Sequence, residues 1–212
     1  SDRGAPLKDV IKVGKRYDVP VIVDAAAELP PRENLRKFIA MGADLVAFSG
    51  GKQIRGPNDT GFLCGRKDLI RLAALQAFPY HGIGRAAKVD RTQIVGLVTA
   101  LKVFLEEDEE AEFRGWEDKL KKIKESLESE PNIRHMEIKI ESETRRIPFL
   151  TIEIDVGVLG VNSREIAYSM RRRAPYVWVL FNEPDKLMVI PTTLMDGEEE
   201  VVAESIKRAV RS

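Results

Sequence analysis

The sequence is short of cysteine, histidine and net charge, and each shortage narrows what the chain can do. One cysteine, Cys64, in 212 residues excludes an intrachain disulfide and any paired-cysteine redox or zinc motif. It lies in the run Thr60-Gly61-Phe62-Leu63-Cys64, which predicts a buried strand and a packing role. Two histidines, His81 and His135, are too few for a histidine-rich metal centre. No third ligand converges with Asp24 and Glu28, so no metal is expected. The 34 Lys plus Arg equal the 34 Asp plus Glu, which argues against a broad electrostatic footprint for nucleic acid. No apolar stretch approaches the roughly 18 residues of a membrane span, and nothing reads as a signal peptide. A cytoplasmic location is the expectation. The chain opens Ser1-Asp2-Arg3-Gly4 without an initiator methionine, as a segment of a longer polypeptide could.

What is present is α/β patterning. Leu7, Val10 and Ile11 follow Pro6 at helical spacing, and Asp18–Asp24 is a short β-branched run suited to a buried parallel strand. Asn34–Met41 predicts a helix stopped by Gly42, and Asp44–Phe48 the next strand. Phe62–Cys64 predicts a further strand, after the turn Gly56-Pro57-Asn58-Asp59. Strand, helix, strand at this spacing indicates a right-handed βαβ unit, whose ligand crevice lies beyond the carboxyl ends of the strands. Lys67–Leu75 predicts a short helix, and Asp90 the N-cap of a long one through Phe104. The acidic run Glu106–Glu110 reads as a solvated face or an interdomain corner. Trp116, Leu120, Ile123 and Leu127 then form a packing stripe. Beyond Pro131, strands at 133–140, 149–156, 176–181 and 186–190 alternate with helices at 163–173 and 198–210, a smaller α+β domain. The expected domains are 1–115 and 116–212.

Asp24 and Lys52 carry the chemistry. Asp24 closes Val19-Pro20-Val21-Ile22-Val23, and Lys52 follows Ser49-Gly50-Gly51 at the end of another predicted strand. A carboxylate that keeps a pyridine nitrogen protonated, with an amine that forms a Schiff base, is what pyridoxal phosphate needs. Gly50 and Gly51 allow close backbone approach, Ser49 offers a hydroxyl for a phosphate oxygen, and the alanines after Asp24 leave a smooth surface for a flat ring. A nucleotide P-loop is excluded, because Val46 and Gln53 occupy positions that need glycine and a hydroxyl. Gly82-Ile83-Gly84-Arg85 supplies only half of a dinucleotide-binding fingerprint, in the wrong context.

Val21-Ile22-Val23-Asp24-Ala25-Ala26, Ser49-Gly50-Gly51-Lys52 and Gly56-Pro57 through Gly61 together resemble the aspartate-aminotransferase-like fold of pyridoxal-phosphate enzymes (fold type I). Within it the chain is similar to the selenocysteine synthase-like group, the seryl-tRNA selenium transferases and their relatives. Gly84-Arg85-Ala86-Ala87-Lys88-Val89-Asp90 and the helix through Gly96-Leu97-Val98-Thr99-Ala100-Leu101 resemble the D-glucosaminate-6-phosphate ammonia lyase branch. The resemblance implies a mostly parallel large-domain sheet, of which 1–115 is the carboxyl-terminal part, a small domain at 116–212, and a preceding segment outside this sequence. It implies that Asp24 pairs with the pyridinium nitrogen, Lys52 carries the cofactor and shuttles protons, Ser49 touches the phosphate and Ala26 packs beneath the ring. Gly50, Gly51, Gln53, Arg55, Gly56, Asn58 and Thr60 would line the cofactor loop, in a site shared across a homodimer or larger homo-oligomer. Arg85, with His81 and Arg55, would contact the substrate's anionic groups, and Arg145 and Arg146 are further candidates that read otherwise as solvated charges.

The implied activity is α,β-elimination with loss of ammonia from a 2-amino-3-hydroxy acid, a phosphorylated amino sugar acid among them. Selenium transfer to seryl-tRNA is the alternative within the group, disfavoured by the zero net charge. Aldolase, racemase, aminotransferase and desulfurase chemistry share the same cofactor, and Cys64, placed in a strand, is a poor desulfurase nucleophile. A catalytically silent scaffold with this fold is the reading from a different class.

Overall fold

The computed structural model describes residues 4–142 and 145–211, which form two compact units, residues 1–107 and 108–212. The division falls between Glu107 and Asp108. The boundary expected after residue 115 lies inside a helix instead.

The first unit runs α1 (Leu7–Arg16), β1 (Ile22–Asp24), α2 (Asn34–Met41), β2 (Leu45–Ser49), β3 (Gly61–Gly65), α3 (Lys67–Gln76) and α4 (Arg91–Glu106). β1 and β2 are parallel, with Ile22 opposite Leu45 and Asp24 opposite Ala47, so α2 makes the expected βαβ crossover. Gly42 ends α2 at φ 108°, a left-handed position that favours glycine. β3 runs antiparallel to β2, because the chain turns directly back through a hairpin loop from Ser49 to Gly61. The sheet order is β1-β2-β3. β1 is shorter than the predicted Asp18–Asp24: Asp18 is left-handed at φ 52°, and the Val21 N–H donates to the Asp44 carboxylate at 2.8 Å instead of entering the ladder. That hydrogen bond, with the Arg66 guanidinium at 2.9 Å, holds the Asp44 carboxyl below the usual range. Nor is β1 buried as predicted. It is the edge strand of the described sheet, and Ile22 is 64% exposed.

The core of this unit gathers Ala25, Leu29, Phe38, Val46, Phe48, Ile54 and Phe104, with Leu97, Ala100 and Leu101 of α4 packed on it. Asp90 caps α4 through a reciprocal pair with Gln93, the Asp90 carboxylate accepting from the Gln93 N–H at 2.7 Å. Cys64 is half-buried in β3, where burial pushes its thiol up.

In the second unit, α5 (Glu109–Leu127) starts from an Asp108 cap. β4 (Ile133–Ile140), β5 (Pro148–Ile154), α6 (Val156–Leu159), α7 (Ser163–Arg172), β6 (Leu180–Asn182), β7 (Lys186–Val189) and α8 (Glu198–Arg211) follow. The antiparallel sheet has the order β4-β5-β7-β6. The predicted stripe is buried as expected, Leu120, Ile123 and Leu127 being fully enclosed against Leu150, Ile152, Ile154 and Ile206. The strand predicted at 176–181 is only Leu180–Asn182, although Val177 and Val179 still point inward. No helix among the described residues is long and apolar enough to cross a membrane.

Candidate active site

Two parallel strand ends create the site. Asp24 is the last residue of β1 and Ser49 the last of β2, and the ladder continues one step beyond Asp24, where the Ala25 N–H donates to the Ala47 carbonyl at 2.9 Å. Ala25 is buried, Ala26 and Ala27 half-buried. The Asp24 side chain is exposed and turned back on its own chain, Oδ1 accepting from the Ala26 N–H at 3.0 Å. Its other oxygen has no partner among the described residues, which leaves one carboxylate lone-pair face for a ligand.

Lys52 sits on the hairpin loop that returns from β2 to β3. The loop is closed by the Gly50 N–H to the Thr60 carbonyl at 2.8 Å and narrowed by the Gly56 N–H to the Gly50 carbonyl at 2.8 Å. Glycine is required where the two arms touch. A Cβ on Gly51 would stand 2.5 Å from Asn58 Cα, and one on Gly50 2.3 Å from Thr60 Oγ1. Thr60 is buried and donates its hydroxyl to the Pro57 carbonyl at 2.6 Å, so its primary task is to hold the loop. Inside the turn from Lys52 to Arg55, whose N–H donates to the Lys52 carbonyl at 2.9 Å, Ile54 is 2% exposed and locks the turn into the core. α4 backs the loop: Gly56 approaches Ala100, and Gly50 approaches Leu97. The Lys52 side chain is exposed, with no hydrogen bond or ion pair among the described residues. A carboxylate, a hydroxyl and a primary amine with these open valences fit the ring nitrogen, phosphate and aldehyde of pyridoxal phosphate. Among the described residues no group of His, Cys, Asp and Glu is arranged to hold a metal ion.

The predicted anion contacts are placed differently. Arg55, at φ 59°, forms an ion pair with Glu107. Arg85 lies 4.6 Å over the Phe78 ring in the segment after α3, with Lys88 Nζ 4.5 Å from the same ring, and His81 in that segment is exposed. No hydrogen bond or ion pair among the described residues joins either to Asp24 or Lys52. Arg145 pairs with Glu141 at 2.7 Å, and Arg146 pairs with Glu110 and stacks on Phe113. Both arginines belong to the second unit's own surface.

Sequence reasoning missed three residues that shape the site. Ile54 was legible as the only aliphatic side chain between Gly51 and Thr60. Asn34, fully buried, donates to the Glu28 carbonyl at 2.6 Å and so fixes the turn after Asp24. Arg32 donates to the Leu105 and Glu107 carbonyls at 3.1 and 2.5 Å, capping the end of α4. Neither polar partner lies at a sequence spacing that would have revealed it.

Known proteins are similar to this chain over nearly its whole length. A 5'-C-glycyluridine monooxygenase-decarboxylase from Streptomyces sp is 32% identical over 203 residues, covering 94% of this chain and 49% of its own length. The D-glucosaminate-6-phosphate ammonia lyase of Salmonella typhimurium is 30% identical over 203 residues, covering 95% of this chain and 52% of its own. A solved structure of D-glucosaminate-6-phosphate ammonia-lyase superposes with a TM-score of 0.75 at 25% identity, covering all of this chain and 54% of the other. The architecture is the mixed α/β, aspartate-aminotransferase-like fold expected of it. The chain spans about half the length of the curated relatives it matches. A family profile that takes in Asp24, Lys52 and most of the chain, from residue 3 to residue 156, decides its membership: it belongs to the L-seryl-tRNA selenium transferase (SelA) family.

Proposed function

We propose that the full-length protein is a pyridoxal-phosphate-dependent lyase that releases ammonia from a 2-amino-3-hydroxy acid by α,β-elimination. The observation that carries this reading is the convergence of Asp24, Ser49 and the Lys52 loop at one end of the β1–β2 pair, in a chain similar to an ammonia lyase. Bound there, pyridoxal phosphate supplies an electron sink for the substrate's α carbon. The open oxygen of Asp24 would hold the proton on a pyridine nitrogen, and Ala26 would offer an apolar floor. Ser49 and the Gly50 and Gly51 segment would hold the phosphate, with Gly56, Asn58 and Thr60 keeping that segment in shape. Lys52 in its neutral form takes the α proton and returns a proton to the departing β hydroxyl. Water lost from the β carbon is regained when C2 is hydrolysed, so the net products are a 2-keto acid and ammonia. Arg85 and His81 serve the substrate's anionic end, a carboxylate or phosphate, with Arg55 a third contact. The first unit acts as part of a larger cofactor-binding domain and the second as the small domain. Exposed Phe78, Tyr80 and Ile83 suit burial against a second copy that completes the site.

The test is a panel of 2-amino-3-hydroxy acids, phosphorylated amino sugar acids included, with the full-length protein and with Lys52→Ala. Keto acid and ammonia in equal amounts, lost in Lys52→Ala, support the lyase. The relative named a monooxygenase-decarboxylase supports a second reading, so oxygen uptake and carbon dioxide release are recorded in the same assay. Turnover that needs oxygen and releases carbon dioxide replaces elimination with that reading. Turnover only with seryl-tRNA and a selenium donor points to selenium transfer, and cofactor binding without turnover of any of these points to a silent scaffold.

A further inference from the structure

We infer that Glu107 is a positioning residue for Lys52, holding the lysine loop against the chain that leaves Asp24 through a two-sided clamp. The inference rests on the proposed role of Lys52. Glu107 is gripped from both sides of the site. Its carboxylate pairs with the Arg55 guanidinium, at the end of the turn that begins with Lys52. Its carbonyl accepts from Arg32 Nη2 at 2.5 Å, and Arg32 belongs to the segment between Asp24 and α2. Arg32 also donates to the Leu105 carbonyl at 3.1 Å and lies 5.3 Å over the Phe104 ring, so the end of α4 is a fixed post rather than a fraying terminus.

The backbone at Arg55 supplies an independent observation. Its φ of 59° is in the left-handed region, where glycine costs least and a long side chain is rarely found. An arginine held there retains local strain, and the ion pair with Glu107 is what its side chain gains in return. On the inner side of the same turn Ile54 is buried. The turn is therefore held by a core contact at one residue and by the clamp at the next. Lys52, at its open end, makes no side-chain hydrogen bond or ion pair among the described residues and depends on the turn for its position.

The test uses full-length protein carrying Glu107→Gln, Arg55→Lys or Arg55→Gly. Two readouts are taken: amide hydrogen exchange of residues 51–56 without cofactor, and the rate at which Lys52 is labelled by pyridoxal phosphate and borohydride. Because the pair is half-exposed, the effect expected of Glu107→Gln is roughly threefold faster exchange in 51–56, with Lys52 labelling slowed by a similar factor. Exchange in β2 and the melting temperature should stay as in wild type. Arg55→Lys, which keeps the charge, should recover most of the labelling rate, and Arg55→Gly, which relaxes the backbone but cuts the clamp, should not. Unchanged exchange and labelling in Glu107→Gln would overturn the inference. So would a uniform rise in exchange across the first unit with a lower melting temperature, which marks a merely structural residue. If wild-type Lys52 takes no label, the proposed function fails, and exchange alone then judges the clamp.

Discussion

Gly51→Ala is the substitution that most sharply joins the loop's packing to the chemistry proposed for Lys52. A Cβ at Gly51 would lie 2.5 Å from Asn58 Cα, 2.8 Å from its carbonyl oxygen and 3.0 Å from its carbonyl carbon, all backbone atoms. Asn58 cannot step aside freely, because the loop is fixed on both sides by the Thr60 N–H to the Pro57 carbonyl at 3.1 Å and the Gly50 N–H to the Thr60 carbonyl at 2.8 Å. Overpacking of this kind costs about 2 kcal/mol. That is enough to lower Tm measurably, by less per kcal/mol the longer the full-length protein is. The arms must part by about 1 Å, and Lys52 moves with them, a displacement that costs up to about a hundredfold in a positioned reaction. Gly50→Ala is the internal comparison. Its Cβ would meet Thr60 Oγ1 at 2.3 Å, Leu97 Cδ1 at 2.4 Å and the Thr60 carbonyl oxygen at 3.2 Å, so it strains the loop through the Thr60 hydroxyl that bonds Pro57, and a loss of similar size is expected. The assays are thermal melts and borohydride labelling of Lys52 in the full-length protein. A Gly51→Ala protein with wild-type Tm and wild-type labelling would refute the reasoning.

In the second unit the effects run in both directions. Gly115 lies in α5 with nothing within 4 Å of an added Cβ, so Gly115→Ala should stabilise by about 0.5–1 kcal/mol in a urea titration. The Glu199 carboxylate, almost wholly buried, accepts from Lys122 Nζ at 2.8 Å and from the Gly197 N–H at 2.9 Å, and Lys122 above all holds its pKa below the usual glutamate value. A lowered folded-state pKa stabilises above the unfolded glutamate's pKa, and that contribution is lost as pH falls through the folded value. Melts taken downward from the ordinary glutamate range should therefore show falling stability that Glu199→Gln flattens; an equal slope in both proteins would contradict the assignment.

Much of this was legible in the sequence because single residues dictate local geometry. Gly42 had to stop a helix and does so with a left-handed backbone, and Asp90 had to cap one and does so with Gln93 as its return partner. The stripe from Trp116 to Leu127 could bury itself on only one face. What failed depends on partners far along the chain. The Asp18–Asp24 run looked like a whole buried strand, but β1 is the edge of the described sheet, and Asp44 takes the Val21 N–H out of the ladder. The direction of β3 follows from the length and closure of the Lys52 loop, not from the residues of β3 itself. The acidic run Glu106–Glu110 reads as a solvated face or an interdomain corner, and the division between the two units falls within it. Its individual carboxylates nevertheless have separate tasks, Glu107 on Arg55, Asp108 as a helix cap and Glu110 on Arg146. The Arg55–Glu107 ion pair could not be read from the sequence, because charge in a loop carries no address and the pair is visible only once α4 is in place.

The central claim is that Lys52 carries the cofactor. Full-length protein would be mixed with pyridoxal phosphate, its absorbance recorded, the sample reduced with borohydride, and the modified peptide mapped by mass spectrometry. The account predicts a visible chromophore that reduction bleaches and a pyridoxyl group on Lys52. Folded full-length protein with no chromophore, or with label only on other lysines, would contradict it.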